Sequence, residues 1–316
     1  MTISSTNSVV FLMGPTASGK TELALEMYNQ LDASLISVDS ALIYRGMDIG
    51  TAKPSKVTLE NYPHALIDIC EPDESFSVNQ FVSLAKQHIE SALNAGKLPI
   101  LVGGTSFYFN ALEHGLSKLP ESTKDSRKYF NDRLKNQGSE KLHSQLLKID
   151  HQSATRIHPN DSQRVTRALE VFHLSGVTLT ELQGNKNENK LNHEIKKIIL
   201  MPERSELHQR IEKRFIEMIK DGFLDEVETL RKNKNLNLDL ASMRCVGYRQ
   251  AWNYFEGIYN KKEMIEKAIV ATRQLCKRQC TWLRNESNAL ILKETKIDKA
   301  INFLQERGAQ KLHRVH

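Results

Sequence analysis

Eight consecutive residues, Gly14-Pro15-Thr16-Ala17-Ser18-Gly19-Lys20-Thr21, have the composition of a loop that cradles phosphate. Small residues let successive backbone N–H groups converge on one anion, Lys20 supplies a positive charge, and the Thr21 hydroxyl is a hard oxygen donor suited to Mg²⁺. Loops of this spacing hold ATP and related nucleotides in kinases and ATPases, but other transferases share them, so the loop alone does not define a reaction. A second residue able to do chemistry is Asp39, a carboxylate at the end of a short apolar run. A third feature is Gly103-Gly104-Thr105, a hydroxyl preceded by two residues whose backbone can be approached closely. The apolar run before Gly103 ends without the aspartate that helps hold Mg²⁺ in hydrolytic P-loop enzymes.

These residues need elements to position them. Ser8–Met13 is a bounded apolar run of the buried-strand type, and the segment after the loop repeats Leu23, Ala24, Met27 and Leu31 at helical spacing. The pattern predicts strand, loop, helix. Ser34–Val38 and Leu98–Val102 predict two further buried strands, so Asp39 and Gly103 lie at strand carboxyl ends, where open α/β sheets bind ligands. Ile195–Met201 predicts another strand. Between about Leu116 and Asn192 the chain is polar, lysine-rich and helical in pattern, and Gln183–Glu194 reads as an exposed loop or hinge. The expected fold is α/β: a nucleotide-kinase-like parallel-sheet core over residues 1–116, a helical insertion over 117–192, and the rest of the core with basic C-terminal helices over 193–316.

Composition narrows the class. No window approaches the ~18 apolar residues of a membrane span, and the first apolar run has no basic segment before it, so a cytoplasmic protein is expected. Cys70, Cys245, Cys276 and Cys280 are scattered and read as reduced core thiols rather than a metal site. The net charge of +6 suits a polyanionic partner. From Arg273 to His316 there are ten Lys/Arg against four Asp/Glu; a solvated helix surface would give the same pattern.

Five longer segments follow the loop: DSALIYRGMDIGTAKP from Asp39, PHALIDICEPDESFSVNQF from Pro63, GGTSFYFNAL from Gly103, NDSQRVTRALEVF from Asn160 and MRCVGYRQAW from Met243. In this order behind GPTASGKT, the series closely resembles the bacterial tRNA dimethylallyltransferases, or tRNA isopentenyltransferases, over about residues 8–285. The resemblance implies transfer of a dimethylallyl group from dimethylallyl diphosphate to N6 of adenosine 37, beside the anticodon, in tRNAs reading codons that start with U. Diphosphate is the other product. It also implies Mg²⁺ as cofactor with Thr21 as ligand, the tRNA anticodon stem-loop and dimethylallyl diphosphate as partners, no membrane, and a monomer. The residues suit such chemistry, since a diphosphate leaving group needs a cradle rather than a γ-phosphate clamp. A small-molecule kinase would use Lys20 and Thr21 but leave the basic helices unexplained; a non-catalytic RNA-binding protein would leave the loop and Asp39 idle.

By the resemblance, Gly14, Pro15, Thr16, Ala17, Ser18, Gly19, Lys20 and Thr21 bind diphosphate, and Asp39, Thr105 and Arg214 are catalytic. Asp39 is the general base for the weakly nucleophilic exocyclic amine; a metal-supporting or capping role is the competing reading, as is an N-cap role for Thr105. Arg214 falls within the apolar helical face of Leu207, Ile211, Phe215 and Met218, with Arg210 at its margin. An inward guanidinium needs an anion, which makes Arg214 the preferred diphosphate ligand with Arg210 as runner-up; a salt bridge with a core carboxylate is the competing reading. The implied tRNA contacts are Asp39, Ser40, Ala41, Leu42, Thr105 and Arg127; Gln163, Arg164, Val165, Thr166 and Arg167 on a helix bracketed by Asp161 and Gly176; Arg244, Cys245, Val246, Gly247, Tyr248 and Arg249 in a glycine-pivoted loop; and Lys277, Arg278, Gln279, Cys280, Thr281, Trp282, Leu283 and Arg284. Arg273, Lys277 and Arg284 should form a basic stripe on a helix over Lys262–Arg284, with Trp282 either stacking on a base or in the core. Ser106-Phe107 departs from the family's smaller or aliphatic pair.

Overall fold

In the computed structural model, which describes residues 8–184 and 190–306, three apolar runs become the adjacent strands β1 (Ser8–Met13), β2 (Ala33–Val38) and β4 (Leu98–Gly103). They are joined by β3 (His64–Ala65), β5 (Glu194–Leu200) and β6 (Ala289–Leu292) in one parallel sheet of order β3-β2-β4-β1-β5-β6. As the sequence predicts, the central strands are apolar on both faces because both are covered. Val10 and Leu12 join Leu23, Ala24 and Met27 of α1 (Lys20–Gln30) in one core cluster. Phe11, between them, points the other way and meets Phe109 of α4 (Ser106–His114), with ring centroids 5.0 Å apart.

The other helices of this unit are α2 (Lys56–Asn61), α3 (Val78–Asn94), α10 (Arg204–Lys220), α11 (Phe223–Arg231), α12 (Tyr248–Phe255), α13 (Lys261–Leu283) and α14 (Ile297–Gln305). Local chemistry fixes their starts: Ser77 with Gln80 forms a capping box on α3, and Asn260 with Glu263 forms one on α13. Leu207, Ile211, Phe215 and Met218 of α10 are buried, with Phe223, Tyr248, Met264 and Cys276, in a second core cluster. The chain divides into two compact units, Met1–Glu113 with Leu191–His316, and His114–Lys190.

The second unit comprises α5 (Lys124–Gln137), α6 (Ser139–Ile149), α7 (His151–Arg156), α8 (Ser162–Ser175) and α9 (Leu179–Gly184) around Phe130, Leu142, Leu146, Val165 and Leu169. Asp161 caps α8, and Gly176 ends it in the left-handed conformation. Of the polar stretch over 183–194, residues 185–189 lie outside the described residues.

Beyond Asn285, where the motifs give no assignment, β6 pairs with β5 and α14 buries Ala300 and Leu304 beside α1. Lys293 and Lys296 of this segment pair with Glu203 and Glu294. Arg307, Lys311 and Arg314, counted in the basic C-terminal excess, lie outside the described residues.

Register sets the position of the site. Gly103 is the partner of both Met13 and Val38, so the chain leaves β1, β2 and β4 at one level, and Gly14, Asp39 and Gly104 emerge side by side. That closeness leaves no space for a side chain at Gly103, where a Cβ would lie 2.0 Å from the Val38 carbonyl oxygen. Gly103→Ala should therefore force β2 and β4 apart and destabilise the protein by about 2 kcal/mol or more, read as a lower midpoint in urea unfolding.

Candidate active site

The Gly14–Thr21 loop leaves β1 and enters α1 through two left-handed residues, Ala17 at φ 63° and Gly19 at φ 94°. A left-handed alanine is uncommon, and such conformations cluster where backbone N–H groups are turned toward a ligand. Behind the loop, Gln279 of α13 bridges two strand ends. Its Oε1 accepts from the Thr16 N–H at 2.9 Å, and its Nε2 donates to the Gly104 carbonyl at 2.9 Å.

Two cations serve the loop. Lys20 Nζ donates to the Pro15 carbonyl at 3.1 Å. Burial pushes its amine down to about 8, opposed by the charge of Asp39 and aided by that of Arg214. Arg214 lies in the same cavity and donates to the Thr16 hydroxyl. Burial also opposes its charge, and among the described residues no carboxylate forms an ion pair with it. Arg210 is placed differently: it donates to the Ser18 carbonyl at 3.2 Å and pairs with Glu206 at 2.6 Å. Two part-buried cations that form no ion pair with a carboxylate among the described residues make this part of the cavity electropositive.

Asp39 faces the same cavity, its Oδ1 accepting from the backbone N–H of Ala41 at 2.8 Å and Leu42 at 3.4 Å. The carboxylate is thereby oriented, and it caps the turn after β2. Thr105 Oγ1 accepts from the Ser40 N–H at 3.1 Å, so the Thr105 side chain ties β4 to the turn after β2 rather than capping α4.

Ser37, two residues before Asp39 and on the same face of β2, is buried and lines the cavity with no hydrogen-bond partner for its hydroxyl. With Thr21 it offers hard oxygen donors beside the phosphate loop, a donor set that fits Mg²⁺. Among the described residues no cluster of three or more His, Cys, Asp or Glu offers another metal site.

The cavity is about 600 Å³ and is lined by Lys20, Thr21, Asp39 and Thr105 together with the apolar side chains of Ile211, Phe215 and Met218. Arg244, Cys245, Val246, Arg278 and Trp282 also line it, as do Phe107 and His64. His64 Nδ1 lies 2.7 Å from the Tyr62 carbonyl, and burial lowers its pKa, favouring a neutral ring. The core reading of Trp282 is not met, since the side chain is 39 % exposed.

Several sequence-assigned RNA contacts are redirected by packing. Val165, Tyr248, Cys280 and Leu283 are buried in their units' cores, because each sits on the inward stripe of its helix. Gly247 and Tyr248 begin α12 rather than forming an open loop. Gln279 holds the phosphate loop. Thr166 donates to the Ser162 carbonyl, and Arg167 pairs with Glu170 at 2.7 Å and donates to the Pro120 carbonyl. Arg273 pairs with Glu212 at 2.7 Å, which removes it from the basic stripe. Gln163, Arg164, Arg127, Arg249, Lys277, Arg278, Thr281 and Arg284 remain exposed. Cys245, expected in the core, lines the cavity, and burial and the Asp39 charge push its thiol up to about 12.

Fold and site together define an α/β protein with a cationic phosphate cradle and an oriented carboxylate sharing one cavity at the carboxyl edge of its sheet. The IPP transferase family model matches residues 42–286, and the chain belongs to that family. It is 61 % identical over 304 residues to a tRNA dimethylallyltransferase of Ruthia magnifica subsp. Calyptogena magnifica, covering 96 % of this chain and 99 % of the relative. It is 48 % identical over 305 residues to a tRNA dimethylallyltransferase of Methylococcus capsulatus, covering 96 % of each. The crystal structure of the tRNA isopentenylpyrophosphate transferase of Bacillus halodurans is similar with a TM-score of 0.68 at 35 % identity, covering 95 % of this chain and 94 % of that one. A eukaryotic dimethylallyltransferase acting on tRNA is similar with a TM-score of 0.72 at 26 % identity, covering 88 % of this chain and 70 % of that one.

Two outcomes follow from the geometry. Gln279→Ala, which removes both bridging hydrogen bonds, should weaken pyrophosphate binding by about tenfold in calorimetry. At pH 8, with its pKa near 12, Cys245 should carry about a thousandfold less thiolate than an ordinary thiol near 9. Iodoacetamide labelling read by mass spectrometry should therefore be slow at pH 8 and accelerate up to pH 11; fast labelling at pH 8 would contradict this electrostatic account.

Proposed function

We propose that the protein transfers the dimethylallyl group of dimethylallyl diphosphate to N6 of adenosine 37 in tRNAs reading codons that start with U. The observation that carries this reading is the shared cavity: the anion cradle of Lys20 and Arg214, the Asp39 carboxylate and an apolar wall are arranged around one space. A diphosphate, an amine and a short hydrocarbon chain are the three chemistries those surfaces accept.

In the reaction the loop N–H groups, Lys20 and Arg214 bind the diphosphate and stabilise its charge as the bond between the allylic carbon and its oxygen breaks, the electron pair leaving with diphosphate. The adenine N6 forms the new bond to that carbon. Its surplus proton passes to Asp39, whose orientation is fixed by the Ala41 and Leu42 N–H groups. Thr21 and Ser37 would hold Mg²⁺, which when bound supplies positive charge to the diphosphate oxygens.

The exposed side chains Lys277, Arg278 and Trp282 of α13 supply charge and a stacking surface for RNA. Gln163, Arg164 and Arg127 of the helical unit supply further polar and cationic groups. ATP is not required by this chemistry, although the Gly14–Thr21 loop is of the nucleotide-holding type. Among the described residues no helix is long and apolar enough to cross a membrane.

The test incubates the protein with Mg²⁺, labelled dimethylallyl diphosphate and unmodified tRNA whose anticodon loop contains A36-A37-A38. Nucleoside mass analysis should find N6-dimethylallyladenosine at position 37. ATP turnover without label in RNA would instead support a kinase. Asp39→Asn keeps an acceptor for the Ala41 N–H but no base, so it should lower kcat by 10²–10⁴-fold, about the value of one positioned base, with tRNA affinity unchanged. Equal loss of tRNA affinity would remove the general-base assignment.

A further inference from the structure

Part of the cavity wall is a segment of irregular backbone. Gly50, Thr51, Ala52 and Pro54 line it together with Met218 and Phe215 of α10. This segment has no helix or strand of its own to hold it, and Ala52 adopts a left-handed φ of 56°. Such a conformation persists only where surrounding contacts over-determine it.

The principal contact is Glu226, on α11, outside the phosphate loop and the Asp39 turn. Its Oε2 accepts from the N–H groups of Asp48 at 2.9 Å and Ile49 at 2.7 Å. Its Oε1 accepts from the Gly50 N–H at 3.1 Å and the Tyr248 hydroxyl at 2.6 Å. One side chain thus satisfies three consecutive backbone donors, with both of its oxygens accepting. Burial and the charge of Glu226 push the Tyr248 phenol far up, so it remains a donor.

The segment is also pressed against the aromatic pair of Phe223 and Tyr248, whose ring centroids are 5.2 Å apart. A Cβ at Gly50 would lie 2.3 Å from Phe223 Cε2 and 2.6 Å from Tyr248 Cε2. From the other side the buried Lys53 bonds Asp48 Oδ1 at 2.6 Å, Asp68 Oδ1 at 2.5 Å and the Tyr44 carbonyl at 2.8 Å. Tyr248 in turn begins α12, two residues after Val246, which lines the cavity. Glu226 therefore fixes two stretches of cavity wall at once while touching no group assigned to the reaction.

We propose that Glu226 is a positioning residue that sets the apolar wall through the Asp48–Gly50 backbone and so determines the length of prenyl chain the site accepts. This rests on the prenyl-transfer reading above. Glu226→Gln keeps the size of the side chain but exchanges one acceptor oxygen for an NH₂ group, which faces N–H donors it cannot accept from. The wall loosens and the space beside Met218 and Phe215 grows.

The experiment compares dimethylallyl diphosphate with its ten-carbon homologue, geranyl diphosphate, in transfer to the same tRNA. In Glu226→Gln, kcat/KM for the five-carbon donor should fall by about 10- to 100-fold, the scale of a small misplacement in a positioned site, with tRNA affinity retained. The ratio of ten-carbon to five-carbon transfer should rise at least about fivefold, an effect on the order of 1 kcal/mol in discrimination. Tyr248→Phe, which loses one of the four hydrogen bonds and keeps the three to backbone, should shift the ratio in the same direction by less. A merely structural role would lower both donors in proportion, and an unchanged ratio in both variants overturns the proposal. Absence of five-carbon transfer by the unaltered protein would be a failure of the functional reading, a distinct result.

Discussion

Two partly desolvated cations govern the architecture of the site. Lys20 and Arg214 are both part-buried, desolvation opposes the charge of each, the charge of Arg214 further lowers that of Lys20, and the Asp39 carboxylate acts in the opposite sense on both. A chain bears such a cost where an anionic ligand is to be bound, because the arrangement lowers the free energy of the complex rather than of the empty protein. Much else accompanies keeping the pair in place: the left-handed Ala17 and Gly19, the close contact of β2 and β4 at Gly103, and the reach of Gln279 across to the loop.

The parallel sheet makes this arrangement possible without a dedicated scaffold for each group. Strand ends that share a register deliver the phosphate loop, the carboxylate and Thr105 to one edge. Helices α10 and α13 then close the space over that edge, contributing Arg214, the apolar wall and the bridge from Gln279. The chemistry is divided accordingly: loop backbone and the Asp39 carboxylate at the strand ends, with both cations and much of the hydrocarbon contact carried on helices.

The strand-end half of this site was legible in the amino-acid sequence, and the helical half was less so. The runs ending at Met13, Val38 and Gly103 are bounded and apolar, and the residues after them carry unmistakable chemistry. Arg214 could be placed because its position on an otherwise apolar stripe is a local signal. Gln279 and Glu226 had no such signal, since their partners lie 263 and 176–178 residues away along the chain. Resemblance assigned Gln279, Cys280 and Leu283 to RNA as one continuous stretch, but helical geometry turns successive residues in different directions. β6 is a four-residue edge strand and β3 only two residues, too short for periodicity to identify. The same limit applies to Ser37, whose hydroxyl is conspicuous only once its lack of a partner is seen.

The Gln279 bridge joins α13 to the phosphate loop through a single rigid amide. The neighbouring Arg278 and the nearby Trp282 stand exposed on that same helix, at the cavity. A ligand bound against Arg278 and Trp282 and an anion bound in the loop would therefore share one cavity and one hydrogen-bonded connection. Thermodynamic reciprocity requires that whatever free energy the first transmits to the second be returned in equal measure. The amide of Gln279 is thus the covalent link through which the outer face of α13 and the loop backbone share a hydrogen-bonded connection.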